Sequence, residues 1–104
     1  MMSLEAFKKV LEQSGFPVAY HSFPEKEVPP MPYITYITPY SRNFKADGKV
    51  YSSSQHIQVE LYTQFKDMED EAKVEQALEA FYFSKTETGI EEENCYEVIY
   101  ELEV

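Results

Sequence analysis

The sequence predicts an α+β fold: a two-layer sandwich in which two helices cover one face of a small, mainly antiparallel sheet. Three observations carry it. Apolar residues recur at helical spacing in two segments, 3–14 and 67–83. Apolar and polar residues alternate in "QHIQVELYTQF" (55–65) and "CYEVIYELEV" (95–104), the period of a strand. Prolines bracket a third alternating run, "MPYITYITPY" (31–40). The order reads α-β-β-β-α-β, with a turn or an extra strand near 85–90. A chain of 104 residues, 43% hydrophobic, suffices for one core, so residues 1–104 are read as a single domain.

The first helix opens at Ser3, an N-cap residue, with Glu5 in the dipole-favoured first turn and Leu4, Phe7, Val10, Leu11 and Ser14 on one stripe. Gly15 suits the left-handed position that ends it, and Pro17 stops continuation. "FPVAYHSF" (16–23) reads as a short strand, Val18, Tyr20 and Ser22 facing one way and Ala19, His21 and Phe23 the other. "PEKEVPP" is a loop. Pro32 then stands at the first position of a strand, where no interior donor is missed, and Pro39 is expected to close it. Residues 41–54 are expected to be a connection turning at Asp47-Gly48. In the next strand Ile57, Val59 and Leu61 face the core, and Gln58, Glu60 and Tyr62 face water. The second helix is capped by Asp67, with Glu69, Asp70 and Glu71 in its first turn and Met68, Ala72, Val74, Leu78 and Phe81 as its buried stripe. In the last strand Tyr96, Val98, Tyr100, Leu102 and Val104 point inward and Glu97, Glu101 and Glu103 outward.

The net charge of −10 disfavours nucleic-acid binding through a basic face. It is unevenly spread: residues 84–104 hold seven Glu and one Lys, whereas residues 24–56 are at +1. Such asymmetry can orient a partner or another copy of the chain. No apolar stretch approaches the roughly 18 residues that span a bilayer, so no membrane association is expected. The start "MMSLEAFKKV" lacks the pattern of a secretory signal, and the single Cys95 forms no internal disulfide; both fit folding in a reducing cytoplasm.

No catalytic constellation is visible. His21, His56 and Cys95 are far apart in sequence, whereas a metal site needs three or four converging ligands. Glu91, Glu92, Glu93 and Glu97 around Cys95 oppose a reactive thiolate. Three glycines, Gly15, Gly48 and Gly89, build no phosphate loop, and no serine stands in a nucleophile elbow. The expectation is therefore a protein that is not an enzyme, with no metal and no cofactor.

The aromatic content is the distinctive feature: nine Tyr and seven Phe, 15% of the chain with no Trp. Tyr33, Tyr36, Tyr40, Phe44, Tyr51 and Tyr62 gather around the central strands and their connection. Two helices on one face cannot hide sixteen rings, so some are left for an open sheet face, where Tyr serves contact well. The candidate interface comprises Tyr40, Phe44, Tyr51 and Tyr62, the cations Arg42, Lys45 and Lys49, and the acidic patch Glu91, Glu92 and Glu93. Unlike patches of this kind suit a head-to-tail contact between copies.

"FPVAYHSFPEKEVPPMPYITYI", "SRNFKADGKVY", "IQVELYTQFKD" and "YEVIYELEV" together resemble a family of small proteins from phages and prophages of Gram-positive bacteria, encoded among the head-to-tail and tail genes. The resemblance covers about residues 4–104 and carries no catalytic signature. The element order is also similar to that of tail terminator and tail-completion proteins of long-tailed phages. The resemblance implies an α+β subunit of the virion, made in the bacterial cytoplasm. It implies assembly into a ring, typically a hexamer, that caps the tail tube and offers a surface to the head connector. DNA is expected to pass through without specific binding, net acidity repelling phosphate. The alternative expectation is a small soluble adaptor that uses an aromatic sheet face on a host or phage protein.

Overall fold

The computed structural model describes residues 2–46, 49–90 and 94–104; residues 40–46 and 49–54 are described by backbone alone. Helix α1 (Leu4–Glu12) starts where Ser3 Oγ accepts the Ala6 amide at 3.1 Å, and it ends at Gly15 with φ +88°, a conformation that glycine adopts without strain. Strand β1 (Val18–Tyr20) is shorter than the predicted 16–23. His21, at φ +69°, turns the chain away from the sheet after donating its amide to Tyr36 O at 2.9 Å. A loop with one 3-10 turn (Glu25–Glu27) leads through a cis Met31-Pro32 bond into β2 (Tyr33–Ala46). Next come β3 (Lys49–Thr63), α2 (Met68–Ala77), β4 (Phe83–Ile90) and β5 (Cys95–Glu103).

The strands form one sheet in the order β1-β2-β3-β5-β4. β1 runs parallel to β2; every other neighbour is antiparallel. Pairing fixes which residues share a face. Ile34, Leu61 and Val98 are in register across three strands, as are Tyr36, Val59 and Tyr100, and Ile57 pairs with Leu102. These eight side chains are buried together with Phe7 and Leu11 of α1 and Val74 and Leu78 from the α2 region. Both helices therefore lie on one face, in a two-layer α+β sandwich, as the sequence predicts. Edge-to-face rings lock the layers: Phe7 meets Tyr36 at 6.2 Å and Phe81 at 5.8 Å.

Three expectations are corrected, and a fourth, left open, is settled. Pro39 does not close its strand, and residues 41–54 are not an irregular connection: β2 and β3 continue as a long hairpin to the pair Ala46–Lys49. Ile37 pairs with Gln58 and Tyr40 with His56, so Thr38 and Pro39 together oppose Ile57 alone. This is a bulge, where a residue without an amide proton breaks no ladder bond. The turn expected at Asp47-Gly48 lies outside the described residues.

The second correction concerns the end of α2, which stops at Ala77 with a turn at Leu78, so that Phe83 already stands in β4; the bulky run "FYF" favours extended backbone. The third concerns the stripe of α2: Met68 is 75% exposed and Ala72 is exposed, while Glu71, Val74 and Leu78 face inward. The fourth settles the choice near 85–90, which is a full edge strand, β4, paired along β5 from Phe83–Leu102 to Ile90–Cys95.

Candidate interaction surface

Two features of the hairpin and sheet stand out. The first is a projecting ribbon. β1 pairs with β2 no further than Tyr36, and β5 pairs with β3 no further than His56. Gln55, opposite Ser41, still exchanges both backbone bonds with Val104 at 3.0 and 3.1 Å; beyond it, among the described residues, β2 and β3 pair only with each other, over Arg42–Ser54, Asn43–Ser53 and Phe44–Ser52, then across a second bulge at Tyr51. Residues 42–46 of β2 extend this ribbon by roughly 17 Å. The molecule measures 51 × 28 × 25 Å, with a radius of gyration of 15.0 Å against about 13 Å for a compact chain of this length. Residues 40–54 contain Arg42, Lys45, Lys49 and a single acid, Asp47, a net of +2; the rest of the chain then carries −12.

The second feature is the sheet face away from the helices. Register assigns it Tyr33, Thr35 and Ile37 of β2, the even positions His56 to Tyr62 of β3, the odd positions Glu97 to Glu103 of β5, and Ser84, Thr86 and Thr88 of β4. Four of these are glutamates: Glu60, Glu97, Glu101 and Glu103. None is lysine or arginine.

Several groups on this face are fixed. Glu60 accepts from Tyr62 Oη at 2.5 Å, Gln58 Nε2 at 2.9 Å and Thr35 Oγ1 at 3.3 Å. Burial pushes the Tyr62 phenol well above its usual pKa, and hydrogen bonds to Glu60 and Glu97 push the same way, so it stays a neutral donor. His56 is largely buried, with Nε2 at 3.3 Å from Glu101 Oε1 and Nδ1 at 4.0 Å from Glu103 Oε1. At the β1 end Tyr33 stacks on Tyr62 at 5.2 Å and meets Phe23 edge-on at 5.3 Å. These three rings, with His21 and Val28, line an open cavity of about 190 Å³.

The predicted interface residues divide accordingly. Tyr40, Arg42, Phe44, Lys45, Lys49 and Tyr51 fall together on the ribbon. Tyr62 does not join them: it sits at the far end of β3, opposite Tyr33. Tyr36, one of the gathered aromatics, is core, 4% exposed. Glu91, Glu92 and Glu93 lie outside the described residues. Glu60, Glu97, Glu101 and Glu103 face outward by alternation but are not among the predicted interface residues. Alternation gave their orientation; what was missing was that β5 lies beside β3, which concentrates them.

On the helix side a second charged group joins α2 to β4. Glu71 Oε1, with its side chain 3% exposed, receives Lys66 Nζ and Lys85 Nζ at 2.7 Å each. Lys85 also reaches Glu75 at 2.9 Å, and Lys66 also pairs with Glu87. Tyr100 Oη donates to Glu75 Oε2 at 3.0 Å. The hydrogen bond from Lys66 holds Glu87 below the usual carboxylate range, and bonds to Glu71 and Glu87 raise Lys66. Every lysine here is matched by carboxylates, which reads as a joint between layers. Among the described residues no three His, Cys, Asp or Glu side chains are placed to hold a metal ion, and no helix is long and apolar enough to cross a membrane.

No family model matches the chain, and no curated protein is similar to it.

Proposed function

We propose that this chain is a non-enzymatic assembly subunit of a phage virion, a tail terminator or head-tail joining protein that forms a ring on the tail tube. The observation that carries the reading is the segregation of shape and charge. A ribbon of net +2 projects from a body of net −12, giving one chain two unlike surfaces. Ring closure needs such a pair, because each copy must offer one patch to the copy before it and another to the copy after it. The resemblance to small head-to-tail and tail proteins points to the same role and supplies the partners: the tail tube and the head connector. An acidic body also suits a passage for DNA, since like charge keeps phosphates from lodging. An assembled ring with a basic lumen would remove that part of the reading.

The aromatic cavity formed by Phe23, Tyr33 and Tyr62 favours a second reading, an adaptor that takes an apolar side chain of another protein. Electron microscopy separates the two. Immunogold on virions should mark the tail end or the head-tail joint, and removal of the gene should leave unjoined heads and tails or tails of irregular length. Unlabelled particles, and normal infectious virions without the gene, would sink the assembly reading.

A further inference from the structure

We propose that the open sheet face is the docking surface for the β2–β3 ribbon of a second copy of this chain, the copies joining head to tail. This rests on the assembly reading and adds to it which surface meets which.

Four observations lead there. A two-stranded ribbon without a third strand or a covering helix among the described residues is marginal in water, so one that continues for about five residues past its sheet gains most by lying on something. Charge selects the surface. The ribbon segment holds three cations and one acid; the open face holds four glutamates and no lysine or arginine at its strand positions. Length agrees as well. Four strands, β2 to β4, span about 15 Å at their usual spacing, within the ribbon's reach of about 17 Å. Finally, the ribbon cannot serve its own face. It is the outward continuation of β2 and β3, which form that face, and the ladder from Tyr33–Tyr62 to Ala46–Lys49 is broken only by two bulges. A ribbon lying on this face therefore belongs to another copy.

On docking, Arg42, Lys45 and Lys49 supply charge complementary to Glu97, Glu101 and Glu103. Phe44 and Tyr51 are the ribbon's aromatic residues for contact across the sheet. All four glutamates already have partners on the face, Glu60 in Tyr62, Gln58 and Thr35, Glu97 in Tyr62, and Glu101 and Glu103 in His56, so they attract the ribbon through their negative field.

The test is a charge-swap cycle read by sedimentation up to millimolar protein. The ribbon variant is Arg42→Glu, Lys45→Glu, Lys49→Glu. The face variant is Glu97→Lys, Glu101→Lys, Glu103→Lys. Each alone opposes like charges at every interface and should weaken self-association by about 100-fold or more. Mixed together, each variant's ribbon meets a face of opposite sign, and assembly should return in alternating oligomers. A control with the same net charge as the ribbon variant, Lys8→Glu, Lys9→Glu, Lys26→Glu, should associate like the wild type. If the lysine triple fails to fold by circular dichroism, Glu97→Gln, Glu101→Gln, Glu103→Gln replaces it and should weaken association by about 10-fold.

Loss in both variants with recovery on mixing supports the docking. Wild-type oligomers that neither variant disturbs, or that the control disturbs equally, overturn it and leave the assembly reading standing. A wild type monomeric at millimolar concentration also overturns it; the labelling of virions then decides the assembly reading separately.

Discussion

From Ile34 to Tyr36, strand β2 runs between β1 and β3, with Phe7 of α1 packed on Tyr36. From Ser41 to Ala46 the same strand has only β3 beside it. The backbone ladder is continuous between the two stretches apart from its bulges, yet their environments differ. Ile34, Tyr36, Val59 and Leu61 of the body are core residues, while residues 41–54 bring in Ser, Asn, Arg and Lys around Phe44, Val50 and Tyr51. Hydrogen bonding alone can propagate a hairpin, whereas a core is what holds it in place. A body with its own core is expected to be stable by itself, whereas a two-stranded ribbon gains most from what it touches.

The sharpest way to break this contrast is to empty the body's centre. Phe7 is fully buried and meets both Tyr36 and Phe81. Phe7→Ala should cost about 3–5 kcal/mol of unfolding free energy in urea titrations. A loss below about 1 kcal/mol would mean that α1 does not seal the sheet.

The joint between α2 and β4 comes next. Glu71→Gln keeps the shape but removes the charge that two lysines share, and should cost about 1–3 kcal/mol. The pH dependence follows from Glu87. Its folded-state pKa is lowered, so its contribution is complete above the usual carboxylate value and is lost as pH falls through the depressed one. Lys66 is raised, so its contribution holds below the usual lysine value and is lost as pH rises beyond it. Lys66→Met should therefore flatten the melting temperature against pH on the acid side. An unchanged acid limb would show that the pair is not coupled to folding.

A smaller effect is expected at the N-cap of α2. Asp67 accepts the Glu69 and Asp70 amides at 3.1 Å each, so Asp67→Ala should cost about 1 kcal/mol, with Asp67→Asn recovering most of it.

How much of this the sequence discloses depends on how local the physics is. Ser3 and Asp67 are legible as caps because each bonds amides two or three residues ahead. The core of β3 and β5 is legible because alternation is a property of each strand alone. Pro39 is not legible in the same way. A proline ends a strand only where its missing donor would face a partner, and here a bulge in β2, set by its pairing with β3, removes that need. Glu71 is misread for a related reason. Its position in the first turn suggests a solvated dipole partner, but Lys66 in the preceding loop and Lys85 on β4 draw it inward. The open face lies between the two cases: each glutamate's direction is readable, while their gathering depends on β5 inserting between β3 and β4.

The gentlest perturbation probes the ribbon directly. Replacing residues 42–54 by Asn-Gly joins Ser41 to Gln55, which already pair, through a two-residue loop of the preferred hairpin type. The core residues, both helices and the Gln55–Val104 backbone bonds are untouched. The shortened loop lowers closure entropy slightly, and the lost pairs contributed little without a third strand, so stability should stay within about 1 kcal/mol of the full chain. Self-association should disappear. Both results together would separate what folds this chain from what joins its copies. A truncated chain that unfolds would instead make the ribbon part of the body, and the charge contrast would then need another purpose.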